Sequence, residues 1–94
     1  MEEQTTQRVR ALLAEAGNAH RDFEQSELKG VRDQDWPAWY ARYLLAHGLH
    51  SLIGRDIGED ELANLLKACD LAYLRDQPQK SWQDYYAQRI VEVG

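Results

Sequence analysis

Along the first third of the chain, apolar positions recur every three to four residues. Val9, Leu12, Leu13, Ala16 and Phe23 fall on one stripe, and His20 falls on it with them. This spacing predicts a helix from about Gln4 to Leu28, with Thr5 or Thr6 as its cap and Gly30 just beyond its end. Glu24 and Glu27 extend the stripe past Phe23, so a face made for a core turns acidic at one end. After the short polar segment Val31 to Asp35, a second helix is expected from Trp36 to about His47. Asp33 or Asp35 could accept its first free N–H groups, Pro37 suits its first turn, and Gly48 stops it. On this helix Trp36, Tyr40, Tyr43 and His47 share one side, flanked by Trp39 and Leu44, while Ala41 and Leu45 fall opposite. Only the sector around Ala38 and Arg42 suits water. So apolar a circumference belongs at the centre of a bundle or beneath a partner subunit.

Residues 48–58 hold three glycines and read as the main break in the chain. Asp56 with Glu59, or Gly58 with Glu61, could cap a third helix from about Glu59 to Arg75. Its stripe is Leu62, Leu65, Leu66, Cys69 and Tyr73. Pro78 then breaks the chain, Ser81 is a candidate cap, and a fourth helix is expected from Trp82 to about Glu92. No segment alternates apolar and polar residues as a half-buried strand requires, so the expected class is all-α.

The second and fourth helices carry the same phrase. Asp35 to Leu45 realigns without a gap on Ser81 to Val91, 46 positions later. Trp36/Trp82, Tyr40/Tyr86 and Ala41/Ala87 are identities, and Trp39/Tyr85, Leu44/Ile90 and Leu45/Val91 are close substitutions. Each half is thus a longer helix, a short loop and a shorter aromatic helix. Short loops favour antiparallel neighbours, which makes each half a hairpin, about 4–48 and about 59–92. Neither hairpin buries both its stripe and its aromatic face alone. The expected architecture is a four-helix bundle of two hairpins with an approximate internal two-fold repeat, in a single domain spanning 1–94.

Composition narrows the function classes. With 94 residues, 11 basic and 16 acidic side chains, the net charge is -5 and no basic run exists, so nucleic acid is not an expected partner. No apolar run is long enough to span a membrane and the first residues lack an apolar signal segment. Cys69 is the single cysteine and cannot bridge internally. A cytoplasmic location is the default expectation.

The main candidate for chemistry is His20 with Glu24 and Glu27. An i, i+4 spacing sets imidazole and carboxylate side by side, able to hold a divalent cation or to orient a proton-carrying histidine. Asp33 could add oxygens and Tyr40 a hydroxyl. The bland alternative is a partly buried histidine that donates to Glu24 or Tyr40 and fixes packing, with Asp33 and Asp35 as helix caps. Core packing is the expectation for Trp36, Tyr40, Trp82 and Tyr86. Trp39 and Tyr85 point away from that stripe and, with Tyr43, are the interface candidates. Cys69 reads as an inert buried thiol, and no serine has a nucleophile setting. His47 and His50, near a helix end, read as capping residues.

His20-x-x-Phe23-Glu24, Asp33-x-x-Trp36-x-x-Trp39-Tyr40-Ala41-x-Tyr43-Leu44 and the glycine between them resemble a group of small uncharacterised bacterial helical proteins. These carry a His…Phe/Tyr-Glu…Asp-x-x-Trp-x-x-Trp-Tyr-Ala-x-Tyr-Leu signature. The likeness covers about residues 9–48 and implies a helical fold and no particular site. The second half departs from it: aligning Phe23 with Tyr73 sets Asp70 opposite His20, so a histidine site belongs to the first half only.

Two functions follow. The first is a non-enzymatic interaction module, a homodimer or a partner of another protein, that self-associates through the aromatic face, with no cofactor expected. The second is a small-molecule or metal-binding domain, with catalysis open to it, centred on His20, Glu24, Glu27, Asp33 and Tyr40.

Overall fold

A computed structural model describes residues 2–30, 33–54 and 56–93. Five helices form it: α1 (Glu2–Ser26), α2 (Trp36–Ala46), α3 (Leu49–Ile53), α4 (Glu59–Asp76) and α5 (Trp82–Val93). Among the described residues there is no strand. The four long helices lie where the periodicity sets them. Their interiors are aliphatic, with Val9, Leu13, Ala16, Leu44, Leu62, Leu66 and Ile90 all but sealed from solvent. The Cα radius of gyration is 12.9 Å, close to the roughly 12 Å of a compact chain this long.

Several helix ends differ from expectation. α1 extends back to Glu2, so Thr5 and Thr6 lie within it rather than at its cap. Its far end turns through Lys29 and Gly30, both at positive φ, and the Gly30 N–H donates to the Glu24 carbonyl at 2.8 Å. A left-handed glycine relieves the Cβ clash such a turn imposes. Val31 and Arg32, in the expected polar link, lie outside the described residues. At α2 the cap residue is Asp35, yet no side chain supplies a capping hydrogen bond; Asp33 instead accepts from the Asp35 N–H at 2.9 Å. Neither aspartate is therefore a side-chain cap. Gly58 caps α4, again with no capping side chain. Ser81 does cap α5: its Oγ accepts from the Asp84 N–H at 3.2 Å and donates to the Asp84 carboxylate.

The glycine-rich break is more structured than the sequence suggests. Gly48 and Gly54, both left-handed, bracket α3, whose Leu49 is wholly buried, as Ile57 nearly is. The Nε2 of His50, in the last turn of α3, lies 2.9 Å from the Ile57 carbonyl oxygen and 3.1 Å from its nitrogen, clamping the loop. His47 stacks on Tyr43 with ring centroids 4.0 Å apart.

The packing partners also change. The most extensive neighbour of α1 is α5, and that of α2 is α4, so each long helix lies chiefly on the short aromatic helix of the other half. Contacts within each half, α1 with α2 and α4 with α5, are smaller. An exposed ion pair accompanies each cross-half contact, Arg10–Asp84 and Arg42–Glu59. Such surface pairs add little stability. Burial dominates, and it matches across the repeat: Ala41 and Ala87 are both sealed, as are Leu44 and Ile90, whereas Leu45 and Val91 are both half-buried. A methyl at Ala41 and Ala87 allows close approach of backbones.

Of the four aromatic rings expected in the core, Tyr86 alone is among the buried core residues. Tyr86 is buried, but Trp36, Tyr40 and Trp82 are half-buried and form a layer over the aliphatic interior. Large amphipathic rings gain burial on one side while keeping a polar tip near water.

Candidate functional site

A cleft of about 520 Å³ opens between the halves. α1 contributes His20 and Glu24, the turn after it Gly30 and Asp33, and α2 Trp36 and Tyr40. α4 contributes Asp70, Tyr73 and Leu74, and α5 Trp82 and Tyr86. Both members of two repeated pairs, Trp36/Trp82 and Tyr40/Tyr86, thus line one space.

The rings form a continuous edge-to-face series. Trp36 meets Tyr40 at 5.8 Å and 89°, Tyr40 meets Trp82 at 6.1 Å and 80°, and Trp82 meets Tyr86 at 5.3 Å and 68°. This geometry suits the ring quadrupoles. Gly17, mid-α1, makes room for it. A Cβ there would lie 3.2 Å from the Trp82 ring and 3.7 Å from the Tyr40 hydroxyl. A mid-helix glycine is a signal present in the sequence, and one that hydrophobic periodicity does not register.

His20 is only 7 % exposed and is held from both ends. Its Nε2 lies 3.0 Å from Asp33 Oδ2, while Nδ1 faces Glu24 Oε1 at 3.9 Å, beyond hydrogen-bond range. Trp39 and Tyr40 pack on the ring at 4.8 and 4.9 Å. Glu24 organises the loop that delivers Asp33: its Oε2 accepts the Asp33 N–H at 2.8 Å, and its carbonyl accepts from Gly30. The expected histidine–carboxylate partnership therefore exists, but its close partner is Asp33 from the loop, thirteen residues away. Glu27 does not join it; it is exposed and outside the cleft lining.

The two carboxylates flank opposite nitrogens of one imidazole, so they do not converge with it on a point. Among the described residues no group of three or more His, Cys, Asp or Glu side chains is arranged to hold a metal ion. The divalent cation allowed for at His20, Glu24, Glu27, Asp33 and Tyr40 therefore finds no ligand set among the described residues.

The second half solves the equivalent position differently. Asp70 accepts directly from the Tyr86 hydroxyl at 2.9 Å. Burial, reinforced by Asp70, pushes the Tyr86 phenol well above the usual tyrosine value. The Tyr40 phenol is pushed up to about 12, by burial first and then by the Glu24 charge, with Arg21 opposing. Both hydroxyls stay protonated at neutral pH and can donate hydrogen bonds. Neither is a ready base.

Trp39 and Tyr43, expected as interface residues, stack on each other at 5.4 Å and 14°, with Phe23 against Trp39. Both are half-buried. Tyr85 is half-buried too, edge-on to Tyr73, whose hydroxyl donates to the Lys80 carbonyl. The large apolar side chains that stand out are Leu71 and Leu74 on α4, each 61 % exposed. Cys69 is buried as expected, and burial pushes its thiol up, away from thiolate chemistry.

No family model, no curated protein and no solved structure matches the chain. No described helix is long and apolar enough to cross a membrane.

Proposed function

We propose that the chain is a non-enzymatic binding domain, a bundle of two related hairpins with an approximate two-fold between them, and that the cleft at their junction holds a small organic molecule. The observation carrying this reading is that the two repeated Trp–Tyr pairs meet around one cleft. The two-fold is supported by the reciprocal packing of α1 on α5 and α4 on α2, and by matched burial at Ala41/Ala87 and Leu44/Ile90. A cleft of this size falls within the roughly 300–1,000 Å³ of typical ligand sites. Its aromatic walls and few polar groups fit that pattern. Catalysis finds less support, because the imidazole is occupied by Asp33 and both tyrosines hold their protons.

The test is protein-observed NMR with a panel of small ring-containing and aliphatic compounds, neutral and charged. Binding should shift the Trp36 and Trp82 indole N–H signals and the amides of Gly17 and Gly30. A panel that moves none of these signals, or moves only signals remote from the cleft, sinks the reading.

A second reading, self-association, is favoured by the exposed Leu71 and Leu74, which stand about one turn apart on α4, with Leu74 in the cleft lining. Native mass spectrometry should then show a dimer that Leu74→Asp dissociates while helicity is retained. A monomer at tens of micromolar sets this reading aside.

A further inference from the structure

The lining of the cleft is chemically one-sided. Three carboxylates, Glu24, Asp33 and Asp70, line it, and among the described residues neither lysine nor arginine does. Even with His20 protonated, three negative charges against one positive leave the described walls net negative. The rest of the lining is dominated by Trp and Tyr rings. Negative walls with low-dielectric aromatic surroundings concentrate cations. The faces of Trp and Tyr attract them further through the ring quadrupole. Successive rings stand at 89°, 80° and 68° to one another, so their planes change direction sharply along the lining.

The hydrogen bonding narrows the kind of cation. Asp33 uses Oδ2 on His20 and Oδ1 on the Asp35 N–H. Glu24 uses Oε2 on the Asp33 N–H, and Asp70 uses Oδ1 on the Tyr86 hydroxyl. The charges remain, while four of the six carboxylate oxygens already carry one hydrogen bond each. A primary ammonium, which brings three donors and a tight hydration shell, would be left partly unsatisfied on entering. An alkylated ammonium needs few acceptors, is weakly hydrated, and presents methyl groups to aromatic faces. Asp70 Oδ2 and Glu24 Oε1 carry no hydrogen bond among the described residues, but Glu24 Oε1 already faces the His20 ring, which leaves Asp70 as the carboxylate without a basic neighbour. It stands in the cleft wall next to Tyr86.

We infer that the cleft recognises a small alkylated ammonium ion, with Trp36, Trp82 and Tyr86 as its aromatic box and Asp70 as the principal countercharge. This inference rests on the small-ligand reading above, and the experiment separates the two. Three probes are titrated while the Trp36 and Trp82 indole signals are followed: choline, its smaller unmethylated counterpart ethanolamine, and its uncharged isostere 3,3-dimethylbutanol. The expected order is choline first, at least tenfold tighter than the isostere, with ethanolamine between them. Asp70→Asn, which keeps size and an acceptor oxygen for Tyr86, should weaken choline by three- to tenfold and leave the isostere unchanged, with an unaltered circular dichroism spectrum. The salt dependence of choline binding should flatten in the same variant. Equal binding of choline and the isostere overturns the cation, while the small-ligand reading stands. Ethanolamine tighter than choline overturns the alkylated class. Silence from all three probes overturns this inference, and silence from the wider panel as well overturns the binding cleft with it. Should Asp70→Asn fail to fold, Trp82→Phe serves instead: the weaker quadrupole should lower choline affinity and spare the isostere.

Discussion

The two halves meet the cleft with the same rings and different polar groups. In the first half His20 stands under Tyr40, clamped by Asp33 from the turn that Glu24 holds in shape. In the second half Asp70, at the corresponding helix position, takes the Tyr86 hydroxyl directly. The aliphatic layer beneath is matched position by position, with Leu44 and Ile90 both sealed. Hydrophobic burial tolerates little change of volume, so the buried layer stays alike. The cleft edge is freer, and there the halves diverge. A histidine needs a loop-borne partner, whereas an aspartate finds one on the neighbouring helix.

The largest effect should come from the matched layer. Leu44→Ala and Ile90→Ala should each destabilise by about 2–5 kcal/mol in urea unfolding, and by similar amounts. A difference above about 2 kcal/mol between them breaks the equivalence of the halves. Next is the unmatched pair. His20→Ala leaves the Asp33 carboxylate without its buried partner and should cost about 1–3 kcal/mol, while Asp70→Asn should cost under about 1. In a double-mutant cycle with Asp33→Asn, coupling near zero would show that the His20–Asp33 contact is incidental.

The tyrosines sharpen the comparison by pH. Their folded values are raised, Tyr40 to about 12, against an unfolded value near 10. Below about pH 10 both states are protonated and nothing is lost. Above it the unfolded chain releases its protons first, so stability falls as pH rises from about 10 to 12. Ultraviolet titration should show Tyr40 and Tyr86 ionising above the usual tyrosine value near 10. A phenol titration with no component above that value would contradict it. The smallest effect belongs to Gly17→Ala. Helix propensity gains up to about 1 kcal/mol, and the Trp82 contact at 3.2 Å takes part of it back. Net stability should shift by under about 1 kcal/mol, while Trp82 emission changes as the cleft floor rises.

Much of the fold is legible in the order of residues alone. Helix placement follows from the 3.6-residue period of strong stripes, and Ser81 signals its helix start through the Asp84 N–H it accepts. The site is legible in part. His20, Glu24 and Tyr40 lie on two helices whose periodicity sets them on facing stripes. Asp33 reads as an oxygen donor or, more simply, as a cap, since an Asp just before a helix usually caps it; the loop turns it toward His20 instead. Asp70 is not legible, because its role depends on α4 lying beside α5 at the cleft. Nor is α3, where three glycines outweigh Leu49.

Sequence alone determined the class: the periodic stripes make the elements helical, and the repeated Trp–Tyr–Ala phrase makes the two short helices alike. Local spacing carries such information because the helix repeats within a few residues. Tertiary structure decided which helices pair, that the aromatic phrases would face one cleft rather than fill the core, and which carboxylate would reach His20. Those outcomes depend on contacts between residues far apart in the chain, where many arrangements bury similar area and only close packing at positions such as Ala41, Ala87 and Gly17 selects among them.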